Sequence, residues 1–351
     1  GGKLSKLNTL KCFLSSFFAT YKLYKNKEDG FTRIRCSVFV DALVGRIIGK
    51  VNAKKIMRKH NAKTLKKLIN KLNPDVVFYA DASYFFPALE KTSLLQICDL
   101  QDDIDWERLA VKLRVYEKKY KYNQLNKYNI RYIVSDSAKL NFVHQLGYLD
   151  FKVVYNGADF TELEKDYSKE IELIKKKYHL QNKYIITHVG SATWVDPIFT
   201  KKLFEKIYEK DQTIVLLLVG SMDKVELPNV INIGMVPVSV SYIYYNISDL
   251  GLLLKNSAGS DFLYNAVPLK NIQYAAAEKP VISFPIEWLE KEKFNNTSII
   301  KSEDVNEWFN EIQRIRNEFK WSEIDSSQWN EYNWDKICLS IFNDIKTKLS
   351  V

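Results

Sequence analysis

Cysteine is scarce and scattered. Cys12, Cys36, Cys98 and Cys338 fall in a chain of 351 residues with no CxxC pair and no Cys/His ligand spacing. That pattern argues against a disulfide framework and against a zinc site, and it leaves buried free thiols as the reading of all four. Histidine is equally sparse: His60 and His179 lie in lysine-rich helical stretches, His144 in another helix, and His188 at a strand end beside Gly190, where it reads as structural. Long apolar runs are missing too. The longest uncharged N-terminal run, CFLSSFFATY at 12–21, is half of the roughly 20 residues a membrane span needs, and neither an initiator methionine nor a small-residue cleavage site frames it as a signal peptide. A cytoplasmic protein is therefore expected. There is no GxGxxG or Walker pattern, no low-complexity tract and no internal repeat of 20 to 50 residues.

What is present is charge, unevenly placed. The net charge is +10, but residues 1–74 carry +15 and the remainder −5. Such asymmetry implies an anionic partner for the first part of the chain: a membrane surface, a nucleic acid or an anionic substrate. Within it, residues 53–72 read as a cationic amphipathic helix. Met57, Leu65, Leu68, Ile69 and Leu72 share one face, and Lys54, Lys55, Arg58, Lys59, Lys63, Lys66, Lys67 and Lys71 spread over the rest. A core-facing helix with a solvated basic side competes with membrane contact here. Nucleic acid is disfavoured, because no zinc finger, RNP pattern or helix-turn-helix accompanies the charge.

Over most of the length, short β-branched or aromatic runs alternate with longer charged helical stretches. Strands are expected at 33–40, 75–80, 93–98, 130–135, 151–155, 184–189, 213–219, 229–233, 249–254 and 280–284, with helices at 106–128, 160–181, 198–210 and 303–320 between them. This alternation predicts an α/β protein of two doubly wound, Rossmann-like lobes facing a cleft. The Asn-Gly turn at 156–157 marks the boundary, giving an N-terminal basic lobe at 1–156, a second lobe at 157–330, and a C-terminal helix at 331–351 that packs back toward the first lobe.

Three stretches carry the chemistry. In AVPLKNIQYAAAEKPVISFP, 266–285, Pro268 suits the first helical position. The amides of Leu269, Lys270 and Asn271 would then be free donors at the positive end of the helix dipole, beside the Lys270 ammonium. That is the chemistry of a diphosphate site, with Gln273 one turn on for a ribose or base and Tyr274 as packing. In THVGSATWVDP, 187–197, a strand meets Gly190, Ser191 and Thr193 before a helix begins near Pro197; LLLVGSMD, 216–223, repeats that syntax and reads as structural. In CDLQDDIDW, 98–106, Asp99, Asp102, Asp103 and Asp105 crowd within seven residues, which raises some carboxylate pKa values and offers a general base, while helix capping explains others.

In their order along the chain these stretches resemble a GT-B glycosyltransferase. CDLQDD resembles the YDVxDD element of that family, YIVSDSAKL the vSxxL strand and helix, and VVYNGADF the PNGvD crossover. HVGSATWVD resembles the opening of the second lobe, LPNVINIGMVP the lpNVxxlGxvp element, and PLKNIQYAAAEKPVIS the PLKlxEYlAaGkPVvs element. The chain departs from the pattern at Gln273, where many relatives have glutamate, and at Glu278, where they have glycine. Lys270 with Gln273 is similar to the K-x-x-Q-Y arrangement of GumK-like glucuronosyltransferases, inverting enzymes that act on lipid-linked acceptors at the inner membrane face. The resemblance implies a nucleotide-sugar donor, UDP-linked and including UDP-glucuronate, and a lipid-linked saccharide or polysaccharide acceptor. It also implies an anionic membrane surface as partner and no metal cofactor. By it Lys270 contacts the donor diphosphate, Gln273 the nucleotide, and Asp102 or Asp103 is the base. Arginine is absent from the second lobe before residue 312, so Lys255 would recognise a uronate carboxylate. The alternative is a non-catalytic binder of anionic polymer or nucleic acid on a degenerate GT-B fold.

Overall fold

The computed structural model describes residues 21–25, 32–36, 48–80, 87–90, 92–100, 109–134, 136–147, 150–191, 195–220, 224–255, 267–323 and 326–350. The chain divides into two compact units, Gly1–Val153 and Val154–Val351.

In the first unit, β1 (Tyr21–Lys25) and β2 (Thr32–Cys36) pair antiparallel in a sheet of their own. The expected strand at 33–40 therefore belongs to a hairpin and not to a parallel sheet; its residues 37–40 lie outside the described residues. Helix α1 (Lys50–Leu72) leads to β3 (Val76–Ala80) and β4 (Leu95–Leu100), followed by α2 (Val111–Leu125), β5 (Ile130–Ile133), α3 (Asp136–Leu146) and β6 (Lys152–Val153). The four strands β3-β4-β5-β6 form one parallel sheet in chain order.

Helix α1 turns a different face inward from the one its apolar residues suggest. Ala53, Lys54, Met57, Arg58, Asn61, Thr64 and Ile69 are buried, while Leu72 is 47% exposed. The reason is a charge on α2: Glu117 takes Arg58 at 2.6 Å and Lys54 at 3.5 Å, and the Arg58 guanidinium lies 3.4 Å over the Tyr120 ring. Two cations share one buried carboxylate, and one of them also stacks on an aromatic face, so these charges are paired inside and the basic side is not wholly solvated.

The second unit contains α4 (Phe160–Leu163), α5 (Ser168–Lys177), β7 (Tyr184–Val189), α6 (Pro197–Lys210), β8 (Ile214–Val219), β9 (Val230–Gly234), α7 (Val238–Asn246) and β10 (Leu250–Leu253). It continues through α8 (Leu269–Ala276), β11 (Val281–Ser283), α9 (Glu287–Glu292), β12 (Thr297–Ile299), α10 (Val305–Glu318) and α11 (Trp334–Leu349). The single helix expected at 160–181 is two: Asp159 caps α4, and Asp166 accepts from the Ser168 amide to turn the chain into α5. The six strands form one parallel sheet in the order β12-β11-β10-β7-β8-β9. The chain winds outward from β7 through β8 to β9, then returns to the other side of β7 with β10 and winds outward again. This is a doubly wound sheet whose switch point lies between β7 and β10.

Strand β8, IVLLLV, is buried throughout, as a central strand covered on both faces must be. On one face Ile186, Leu216, Leu218, Leu250 and Leu252 pack against Phe199, Leu203 and Phe204 of α6 and Trp308, Ile312 and Ile315 of α10. Helix α6 starts sharply because Asp196 accepts from the amides of Ile198 and Phe199 and Pro197 needs no partner. Near the boundary, the Gly157 position leaves no room for a side chain: a Cβ would stand 2.8 Å from both Ile337 Cδ1 and the Tyr332 carbonyl oxygen. Ala158 and Asn333 pair there, which anchors the start of α11 on the second unit. Cys98 is buried as expected of a free thiol; Cys338, on the outer side of α11, is exposed, contrary to that expectation.

Candidate functional site

The switch point gathers most of the second-lobe residues singled out from sequence. Strand β7 ends at Val189, and Gly190 follows with φ +145°. Its amide donates to the Val219 carbonyl at 2.8 Å, and a Cβ on Gly220 would fall 1.7 Å from the Gly190 oxygen. Two glycines are thus required for the ends of β7 and β8 to close on one another, which gives Gly220 the packing role expected of it.

Helix α8 descends on this point. The Lys270 Cε and Nζ would lie 2.8 and 3.0 Å from a Cβ on Gly190, so the lysine occupies the space a side chain there would fill. One turn later Tyr274 uses a second clearance: a Cβ on Gly251 would be 2.6 Å from its ring. The Tyr274 hydroxyl donates to the Thr187 carbonyl and meets Thr187 Oγ1, both at 2.8 Å. An i, i+4 pair seated on two glycines and hydrogen-bonded to β7 fixes where the first turn of α8 stands. An isolated glycine inside a strand, as in DLGLLL, is the sequence signal for such a close approach.

Lys270 is not the exposed cation that its helix position suggests; it is 6% exposed. Burial pushes its pKa down to about 7. His188 lies fully buried below the turn, with Nδ1 2.8 Å from the Leu252 carbonyl oxygen, so Nδ1 carries the hydrogen. Burial first, and the Lys270 charge second, push the His188 pKa down to about 3 and hold it neutral.

The remaining predicted residues divide. Pro268 is the N-cap of α8 and not its first helical residue, so its carbonyl accepts the Asn271 amide at 3.1 Å. Asn271 therefore does not offer the free backbone donor expected of it; its buried side chain reaches Thr297 Oγ1 on β12 at 3.3 Å. Leu269 stands exposed at the start of the helix. Gln273 accepts a 2.5 Å hydrogen bond from the Tyr245 hydroxyl on its Oε1, which turns its amide group into the end left to donate. Ser191 is exposed beside Gly190. Lys255 follows β10, where Val195 and Leu254 bridge, and its ammonium stands 3.9 Å from the Asp196 carboxylate, with 36% of the side chain exposed. Gly190, Ser191, Lys255, Leu269 and Lys270 thus converge on the carboxyl ends of β7 and β10, where open α/β sheets bind their ligands. Asp102 and Asp103 lie outside the described residues. Among the described residues no three His, Cys, Asp or Glu side chains are grouped to hold a metal ion.

No protein-family model and no curated protein sequence matches the chain. Solved structures do. Sucrose-phosphate synthase from Thermosynechococcus elongatus superposes with a TM-score of 0.68 at 12% identity, over 93% of this chain and 86% of that one. A glycosyltransferase from Rickettsia africae gives 0.62 at 15% identity, over 82% and 80%. HepE from Anabaena, solved in complex with UDP, gives 0.61 at 13% identity, over 81% and 82%. The chain therefore has the fold of the GT-B glycosyltransferases, with two Rossmann-like parallel sheets.

Proposed function

We propose that the protein is a glycosyltransferase that moves a sugar from a UDP-linked donor to a lipid-linked or polysaccharide acceptor at the cytoplasmic face of an anionic membrane. The carrying observation is Lys270, buried on Gly190 at the switch point of a sheet whose fold is shared with HepE, itself solved with UDP and with UDP-glucose. A lysine whose pKa burial has lowered to about 7 holds its proton more firmly when an anion binds beside it. A diphosphate supplies that anion, and its charge grows as the glycosidic bond breaks, so the same contact strengthens in the transition state. Lys270 with the amides of Leu269 and Lys270 takes the place of a metal in this reading. Ser191 and the Gln273 amide hold the nucleotide. Asp102, with Asp103 as substitute, removes the acceptor hydroxyl proton while that oxygen attacks the anomeric carbon opposite the departing UDP, giving inversion. UDP-glucuronate is the specific donor to test first, from the similarity of K-x-x-Q-Y to GumK-like enzymes, with Lys255 at its carboxylate.

The membrane partner is supported by the outer surface of the first unit. Lys55, Lys59, Lys63, Lys66, Lys67 and Lys71 are exposed on α1 beside Ile56 and Leu72, and α2, which packs against it, exposes Val111 and Val115. Cations interleaved with apolar side chains suit an anionic leaflet, each basic residue contributing about 1 kcal/mol near the surface. Among the described residues no helix is long and apolar enough to cross a membrane.

The test is thermal stabilisation by UDP, GDP and their sugars in EDTA, on wild type and Lys270→Ala. One nucleotide family should stabilise the wild type and leave the variant unmoved. A shift by DNA, RNA or acidic polysaccharide with none by any nucleotide would instead favour the binding-protein reading.

A further inference from the structure

The first unit holds a cavity of about 510 Å³ that the donor-site reading does not use. It lies between the C-terminal half of α1, the loop that precedes β4, and Lys127, which precedes β5. All three places are at the amino ends of the strands, the opposite end of the sheet from where open α/β folds bind substrate.

The wall is built rigidly. Gln96 is buried, and its side chain accepts from the Leu89 amide at 2.7 Å and donates to the Leu89 carbonyl at 2.9 Å. Gln124, also buried, accepts from the Ala88 amide at 2.8 Å. Two buried glutamines held on adjacent loop residues pin the loop, since breaking either leaves a buried amide unpaired at about 1–3 kcal/mol. Ile69 and Ala88 form a buried apolar floor.

The rim is cationic. Lys127 is paired with Glu90 at 2.6 Å, but Lys63 and Lys66 form no ion pair among the described residues. They are three residues apart on one helix, where like charges repel. An unbalanced pair of ammonium groups above an apolar floor matches a ligand with close to two negative charges on a compact group and an organic remainder. That is a phosphate monoester, which carries about −1.5 to −2 at neutral pH.

We propose that this cavity is a phosphate-monoester site, with Lys63 and Lys66 on the phosphate oxygens and the ester's organic side over Ile69 and Ala88. The ester can be a lipid headgroup delivered along the basic face of α1 or a soluble compound. Titration of the full chain with glycerol 3-phosphate, and sedimentation with vesicles containing phosphatidic acid or charge-matched phosphatidylglycerol, separate the two. In the glycerol 3-phosphate titration the Lys63→Ala/Lys66→Ala pair should weaken binding about tenfold or more, while Lys59→Ala/Lys67→Ala, which removes the same charge from the same helix outside the cavity, should leave binding of that soluble ester unchanged. Leu94→Trp, which fills the cavity without altering charge, should abolish binding, with melting temperature as the control for folding. Preference for phosphatidic acid, competed by glycerol 3-phosphate, identifies a headgroup; saturable glycerol 3-phosphate binding with no vesicle preference identifies a soluble ester. Equal losses of glycerol 3-phosphate binding in both lysine pairs, or full binding of it by folded Leu94→Trp, would overturn the site and reduce the surface to diffuse charge.

Discussion

Replacing Lys270 by methionine should stabilise the empty protein, and by an amount that depends on pH. Burial lowers the lysine from 10.5 to about 7. At 1.36 kcal/mol per tenfold change in acidity, the ammonium costs the native state about 5 kcal/mol when fully protonated, a ceiling that local relaxation reduces. The sign follows from proton counting. Between pH 7 and 10.5 the unfolded chain holds a proton at this position that the native chain releases, so wild-type stability rises with pH across that window. Methionine removes the dependence. The variant's advantage should be largest near pH 6 and fall to about 2 kcal/mol at pH 9. Urea unfolding followed by tryptophan fluorescence at pH 6, 7.5 and 9 measures it. UDP should narrow the gap, since it stabilises wild type by about 2.7 kcal/mol at a hundredfold excess over Kd and should do nothing for the variant. Because binding takes up a proton, UDP affinity should fall by up to tenfold per pH unit above 7. A Lys270→Met protein that is less stable at every pH, or whose difference from wild type does not change with pH, would refute a lysine whose charge burial disfavours.

Other outcomes follow from the same geometry. Glu278 leaves α8 with φ +59°, a left-handed conformation that glycine adopts without cost, so Glu278→Gly should raise stability by about 0.5–1 kcal/mol, read as a melting shift of roughly 1–4 °C. Gly251→Ala sets a methyl 2.6 Å from the Tyr274 ring; overpacking of about 1–3 kcal/mol and a weaker UDP response should appear together, because the displaced helix carries Lys270. Glu117→Ala removes the buried carboxylate that Arg58 and Lys54 share and should cost about 3–5 kcal/mol in urea unfolding, much of which a joint Lys54→Met/Arg58→Met/Glu117→Leu replacement should restore. Asp102→Asn should abolish transfer while UDP calorimetry stays at the wild-type value; loss of both would remove Asp102 from the role of base.

The alternation of buried runs with charged helices was enough to read both parallel sheets, because a strand such as IVLLLV covered on both faces cannot hide its composition. Lys270 was legible for a similar local reason: a lysine beside a proline at a helix start conflicts with the helix dipole unless it has an anion to meet. Its burial was not legible, since that depends on Gly190 and Gly251, far away in sequence, vacating the space above the sheet. The inward face of α1 escaped for a related cause. Periodicity marks apolar stripes, whereas this helix buries Lys54 and Arg58 against a carboxylate 59 residues beyond Arg58, and buries the polar Asn61 and Thr64 as well. Strand β12, of three residues, is too short to show a period, and the missing Asn271 donor turned on whether Pro268 caps the helix or begins it.

The central claim is that a nucleotide diphosphate binds where β7, β10 and the start of α8 meet. A crystal structure of the chain with UDP tests it most directly. The account predicts the diphosphate beside the Lys270 ammonium and the Gly190 turn, with the Leu269 amide directed at a phosphate oxygen. A nucleotide bound elsewhere, or a diphosphate that leaves Lys270 untouched, would contradict it.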